Sequence, residues 1–237
     1  MINNQILPKE KTIHISKGTG KLERFKLIGT NTKTNPFCII SNSKEKDIFK
    51  RIKKFVNKDY KNNNHMINIC KICNKNPMTT FALWTKRKDI IKGFFKHNEK
   101  PSNLIMVYSN PKVNQILETP PKYFDKVFNN VWKDSYITQQ NCTGQKCIEC
   151  LECYKKDGKT VIVEAVKRFK GKLTTICQAC YSHKGINFRK ALYEPLQRNS
   201  NLLSNDLIDL QIPVFNELYV RFQHHGELLD NLIVDRG

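Results

Sequence analysis

The chain has 237 residues, 39% of them hydrophobic, and carries 41 Lys and Arg against 21 Asp and Glu, a net charge of +20. That is too apolar for a disordered chain and long enough to bury a core, as one irregular domain or two smaller modules, and no apolar run approaches a membrane span. Nine cysteines are present; no charged start followed by an apolar run marks a secretory leader, so a reducing intracellular compartment, cytoplasm or nucleus, is expected, where clustered cysteines serve as metal ligands.

The charge is not evenly spread. Residues 1–100 hold 23 basic against 7 acidic residues, 101–200 hold 16 against 8, and 201–237 hold 2 against 6. The gradient suggests a basic body with an acidic, leucine-rich tail, and a polyanion such as DNA or RNA is the natural partner of such a body.

In chain order, β-like runs at 12–15 and 25–28 flank the turn Gly18-Thr19-Gly20, which lacks the spacing of a phosphate-binding loop. Residues 43–58 predict an amphipathic helix, with Ile48, Ile52, Phe55 and Val56 on one face and Lys50, Arg51, Lys53 and Lys54 on the others, the latter able to lie along a phosphate backbone. The first Cys-x2-Cys pair, Cys70 and Cys73, follows, then a predicted strand over 79–84. Lys86, Arg87 and Lys88 form a basic cluster leading into a short helix, a second candidate phosphate contact. Residues 104–108 read as a strand, and Pro120-Pro121 precede a predicted helix in which Tyr123, Phe124, Val127, Phe128, Val131 and Trp132 share a stripe.

Two further pairs, Cys147-x2-Cys150 and Cys177-x2-Cys180, are separated by 26 residues, and Cys150-x2-Cys153 offers an alternative first knuckle. Paired thiols two residues apart are the bite with which a tight turn grips a tetrahedral zinc ion. Asp157-Gly158, the run 160–166 and the run 173–176 between the pairs predict a hairpin bearing Lys167, Arg168 and Lys170. Knuckle, hairpin, knuckle and a helix near 188–196 resemble the general zinc-ribbon or treble-clef arrangement over 147–198. The resemblance implies a structural zinc. Cys70 and Cys73 need two more ligands, for which His97, Cys142 and the spare member of Cys147 and Cys153 are candidates, while Cys38 reads as an ordinary buried thiol.

The expected fold is α+β, small, irregular and stabilised by cysteine-ligated zinc, in three stretches: a basic region over 1–136, a zinc module over 137–200 and a helical tail over 201–237 whose leucines either cover the body or mediate dimerisation or docking. The expected function is nucleic-acid binding through the phosphate backbone, in transcription or replication. Two alternatives compete: a zinc-scaffold adaptor for protein interaction, and an HNH-like nuclease with His183 as the residue to test. The clustered carboxylates or His-based site of a nuclease are not evident, so the sequence leans away from an enzyme.

Overall fold

The computed structural model describes residues 7–43, 60–133, 139–166 and 175–230. Seven strands, β1 (Ser16–Lys17), β2 (Lys26–Ile28), β3 (Thr80–Thr85), β4 (Leu104–Val113), β5 (Lys126–Trp132), β6 (Val161–Val166) and β7 (Tyr219–Phe222), form one sheet in the order β1-β2-β7-β3-β4-β5-β6. Only β1 is antiparallel to its neighbour. The protein is therefore mixed α/β with a mostly parallel sheet.

Parallel strands buried on both faces read as apolar runs without alternation. Leu104 to Val107 are all buried, as is every residue of β5. This corrects the helix predicted after Pro121. Phe124, Val127, Phe128 and Val131 have helical spacing, but β4 and β6 on either side claim the backbone of 126–132, and the residues divide between two faces.

Alternate residues sort onto those faces. Phe81, Leu83, Leu104, Met106, Val220 and Phe222 face outward into the main core. Covering them are α2 (Asn64–Lys75), α3 (Lys88–Phe95) and, later in the chain, Leu203 from the helix Tyr193–Ser204, while α1 (Pro36–Ser41) lies at the chamber described below. The α2 helix starts where the Asn63 side chain accepts the Met66 N–H at 3.0 Å, and it buries Met66, Ile69, Ile72 and Cys73 along one stripe. Pro195 sits in the first turn of 193–204, where its missing N–H costs no helical bond.

The inner face carries Leu27, Ala82, Ile105, Val107, Phe128 and Ile162, and the segment 142–154 packs over it through Cys147, Ile148, Leu151 and Tyr154. A flat seven-stranded sheet spans about 29 Å at ~4.8 Å per strand. Yet Lys21, beside the β1–β2 edge, pairs with Glu164 on β6 at the opposite edge. The β1–β2 connection therefore reaches across the inner face, and with the strands it bounds a trough in which 142–154 lies.

Two further expectations change. The run 161–166 forms a strand that pairs in parallel with β5, Thr175 bridges Lys112, and residues 167–174 of the expected hairpin lie outside the described residues. The 201–237 stretch is not a helical tail: after residue 204 it contributes β7, inserted between β2 and β3. Ile208, Leu210, Val214 and Leu218 of that stretch remain exposed. Among the described residues no helix is long and apolar enough to cross a membrane.

Candidate functional site: a cysteine-lined chamber at the carboxyl edge of the sheet

Because six strands run the same way, their carboxyl ends share one edge, which is where open α/β sheets bind ligands. A chamber of about 480 Å³ opens there. Thr32 follows β2, Lys86 follows β3, Gln223, His224 and Glu227 follow β7, and Glu164 belongs to β6; all line it.

Six of the nine cysteines line the same space: Cys38, Cys142, Cys147, Cys153, Cys177 and Cys180. Cys38 is presented by α1, which starts at Pro36 and is capped by Asn35 Oδ1 accepting the N–H of Phe37 at 3.0 Å and of Cys38 at 3.3 Å. Cys177 sits in the 3-10 turn Ile176–Ala179, tied to the end of α1 by Gln178 Nε2 donating to Ser43 O at 3.2 Å. Burial raises the Cys38 thiol pKa, with Glu227 and Cys180 adding to it; burial likewise raises Cys177, opposed by Lys86.

Lys86 stands against this group. Burial works against its charge, but Cys177, Glu227, Cys180 and Cys38 outweigh that, and the ammonium stays protonated. Glu227 is itself buried and satisfied, accepting from the Thr85 hydroxyl, from Lys86 N–H at 2.8 Å and from Leu228 N–H at 2.9 Å. The turn that delivers it needs Gly226, at φ +78°, where a Cβ would lie 2.2 Å from Thr30 Oγ1.

The second group of thiols lies in the 142–154 segment. Cys147 and Cys150 bracket one helical turn, α4 (Cys147–Cys150), and Leu151 at φ +54° reverses the chain so that Cys153 returns toward it. Cys142 is fixed to β6 by its N–H donating to Val163 O at 3.0 Å. Arg221, on the inner face of β7, lies over the Trp84 ring at 4.0 Å from its centroid. Buried polar atoms without a partner gather here: Thr32 Oγ1, Trp84 Nε1, His183 Nδ1, Arg221 Nε and His224 Nδ1 all belong to residues of the chamber wall. Native proteins rarely leave such atoms unsatisfied, so their concentration here calls for an explanation.

The remaining predicted site residues are elsewhere. Cys70 and Cys73 lie together on α2, Cys73 fully buried in the core and the Cys70 thiol pushed up to about 12 by burial, while His97 is exposed. Arg87 is 1% exposed and engaged by Asp89 and Asp230, so it is a core cation and not a phosphate contact; Lys86 points into the chamber and only Lys88 is exposed. Lys50, Arg51, Lys53, Lys54, Lys167, Arg168 and Lys170 lie outside the described residues.

Of the two expected knuckles, Cys147, Cys177 and Cys180 line the chamber together. Cys147 and Cys150 neighbour Cys142 and Cys153, whereas Cys177 and Cys180 neighbour Cys38. Among the described residues no three His, Cys, Asp or Glu side chains already form a metal-binding group, and a zinc-ribbon module is not evident. The chamber's Arg221, Trp84, Glu227 and His224 have no sequence signal of their own; Gly226 directly before Glu227 is the available hint. Compared with protein-family models, with curated proteins and with solved structures, the chain matches none.

Proposed function

We propose that this is a ligand-binding protein of enzyme-like architecture, which takes a small anionic ligand with an apolar part into the chamber and carries zinc on thiols of the chamber wall. The observation that supports it is the convergence of six cysteines and five unpartnered buried polar atoms on one space at the carboxyl ends of parallel strands. Trp84 Nε1, Arg221 Nε and the Lys86 ammonium are donors only, so the ligand must bring acceptors; Leu22, Phe37 and Phe128 supply apolar wall.

Anilinonaphthalene sulfonate, anionic and aromatic, is a suitable probe. Lys86→Met and Arg221→Met should each weaken its binding about tenfold or more, the loss of one charge-assisted contact, with Lys92→Met as the exposed control. Equal binding by all three variants, at unchanged circular dichroism, overturns the chamber reading.

A second reading, nucleic-acid binding in transcription or replication, is favoured by the net charge of +20 and by the exposed Lys88, Lys155, Lys156 and Lys159. It requires affinity for DNA or RNA to fall steeply with salt, by about 0.9 in log–log slope per phosphate contacted on duplex DNA. A flat response removes it.

A further inference from the structure

We propose that Cys142, Cys147, Cys150 and Cys153 are the four ligands of a single tetrathiolate metal centre that fastens the 139–154 segment into the trough. The inference deepens the reading of the chamber thiols as metal carriers, and it replaces a site shared between two distant knuckles with one contained in a single stretch.

Spacing is the first argument. Four cysteines fall within twelve residues as Cys142-x4-Cys147-x2-Cys150-x2-Cys153. Residues three apart on a helical turn project to one side, which brings Cys147 and Cys150 together. The chain then turns twice, Leu151 N–H donating to Cys147 O at 2.8 Å and Tyr154 N–H to Leu151 O at 2.7 Å. Cys153 is carried back under Cys147: both pack against the Phe25–Leu27–Ala82 cluster, while Cys153 and Cys142 both pack against the Ile105–Phe128 cluster. Cys153 therefore stands between its two neighbours.

The surroundings suit a charged centre. Four thiolates on a divalent cation leave a net charge of −2, and two cations, Lys21 and Arg221, line the same wall as Cys142 and Cys147. Gln145 Nε2 donates to Cys150 Sγ at 3.4 Å, the kind of outer-sphere contact that orients a ligand. The segment carries little regular structure. Its regular structure is the single turn at 147–150, plus one bridge from Cys142 to Glu164. Side chains alone would leave much of it to fray, and metal binding would supply the missing local folding energy. Among the described residues no three such side chains share a centre, so the cation is what draws the four thiols to coordination distance.

Four thiolates suit zinc, and three of them at x2, x2 spacing equally suit the iron of an iron–sulfur cluster. The ligand chemistry is the same. Protein produced and purified without oxygen should contain either about one equivalent of zinc and no colour, or iron with acid-labile sulfide and a visible brown absorption.

The test compares metal content and folding of serine variants. Cys142→Ser, Cys147→Ser, Cys150→Ser and Cys153→Ser should each lose the metal at least tenfold, while Cys70→Ser, Cys73→Ser, Cys177→Ser and Cys180→Ser keep it. Should the first four misfold, Co2+ titration of the unmodified metal-free protein still decides, because four thiolates give a sulfur-to-cobalt charge-transfer absorption about twice as strong as two. Metal retained in the Cys142 and Cys153 variants, metal lost equally in the Cys177 and Cys180 variants, or a two-thiolate cobalt spectrum overturns this ligand set while leaving zinc in the chamber. Metal-free protein that takes up neither zinc nor iron with sulfide overturns both, and the sulfonate-binding assay then stands as the independent test of the chamber.

Discussion

Replacing Arg87 by methionine should destabilise the protein by about 3 kcal/mol, near the lower end for breaking a buried ion pair. The Arg87 side chain is 1% exposed, with those of Asp89 and Asp230 at 9% and 14%. Its guanidinium donates to Asp89 from Nε at 3.0 Å and Nη2 at 2.8 Å, to Asp230 from Nη2 at 2.7 Å and Nη1 at 3.3 Å, and to the Tyr60 hydroxyl at 2.9 Å. Phe37 and Tyr60 offer ring faces at 5.2 and 5.7 Å.

Methionine keeps most of the aliphatic packing, so the cost falls on the two carboxylates it strands. Breaking a buried pair costs about 3–5 kcal/mol because a charge is left uncompensated. Both aspartates keep a sliver of solvent and recover some hydration, which places the value near the lower bound. Lysine in place of arginine keeps the charge but loses the fork that serves both partners, and should cost about half as much. The variant carrying Arg87→Met with Asp89→Asn and Asp230→Asn should be more stable than Arg87→Met alone, since no charge is stranded. Urea unfolding at neutral pH reads all of these. A loss below about 1 kcal/mol for Arg87→Met, within the range of a surface pair, would refute the argument that this cation belongs to the core.

Gly226→Ala should cost about 3 kcal/mol, combining left-handed backbone strain with a forced clash against Thr30, whereas Gly20→Ala, at φ +59° with nothing within 4 Å of its Cβ, should cost about 1 kcal/mol; equal melting temperatures for the two variants would contradict the geometry. Stability should also fall with acid. Burial holds His65 neutral, its pKa pushed down to about 3, and burial with Arg221 and Arg189 lowers His225 to about 4, against an ordinary value of 6.5. The unfolded chain therefore binds more protons through that window, so the stabilisation is complete above pH 6.5 and is lost as pH falls, about 2 kcal/mol per such histidine by pH 5. His65→Gln should flatten the slope of unfolding free energy against pH; an unchanged slope would show that His65 protonates freely in the native state.

Much of the sheet is legible in the chain because buried parallel strands announce themselves as short apolar runs: 79–84, 104–108 and 160–166 read as strands and form β3, β4 and β6. Their partners are not legible. Asp157-Gly158 and two apolar runs satisfy the local rules for a hairpin, but β5 and β6 pair in parallel because that buries Ile162 and Val163 on both faces, a choice no local pattern records. The cysteine pairs are recognisable for the same reason that their grouping is not: two thiols three apart are fixed by local geometry, whereas the return of Cys142 or Cys38 depends on where the sheet carries them. Arg87 looks like a surface cation in sequence because its partner Asp230 is 143 residues away.

That long-range partner explains the charge gradient as well. The acidic stretch does not form a separate tail, because its carboxylates are spent on the basic part of the chain. Glu217 pairs with Lys26 at 2.9 Å, Asp206 with Lys71 at 2.5 Å, Asp209 with Lys75 at 3.1 Å and Asp230 with Arg87 at 2.7 Å. Each surface pair adds at most about 1 kcal/mol, and together the four fasten the stretch around β7, which lies between β2 and β3, to the basic part of the chain: to Lys26 on β2, Lys71 and Lys75 on α2, and Arg87 just after β3. The residues just beyond β7 then complete the chamber: Thr30 accepts the Glu227 N–H, the Leu229 N–H donates to His65 Nδ1 at 3.0 Å, and Gln223, His224 and Glu227 form wall. The chamber is therefore complete only with β7 and the residues after it docked into the sheet.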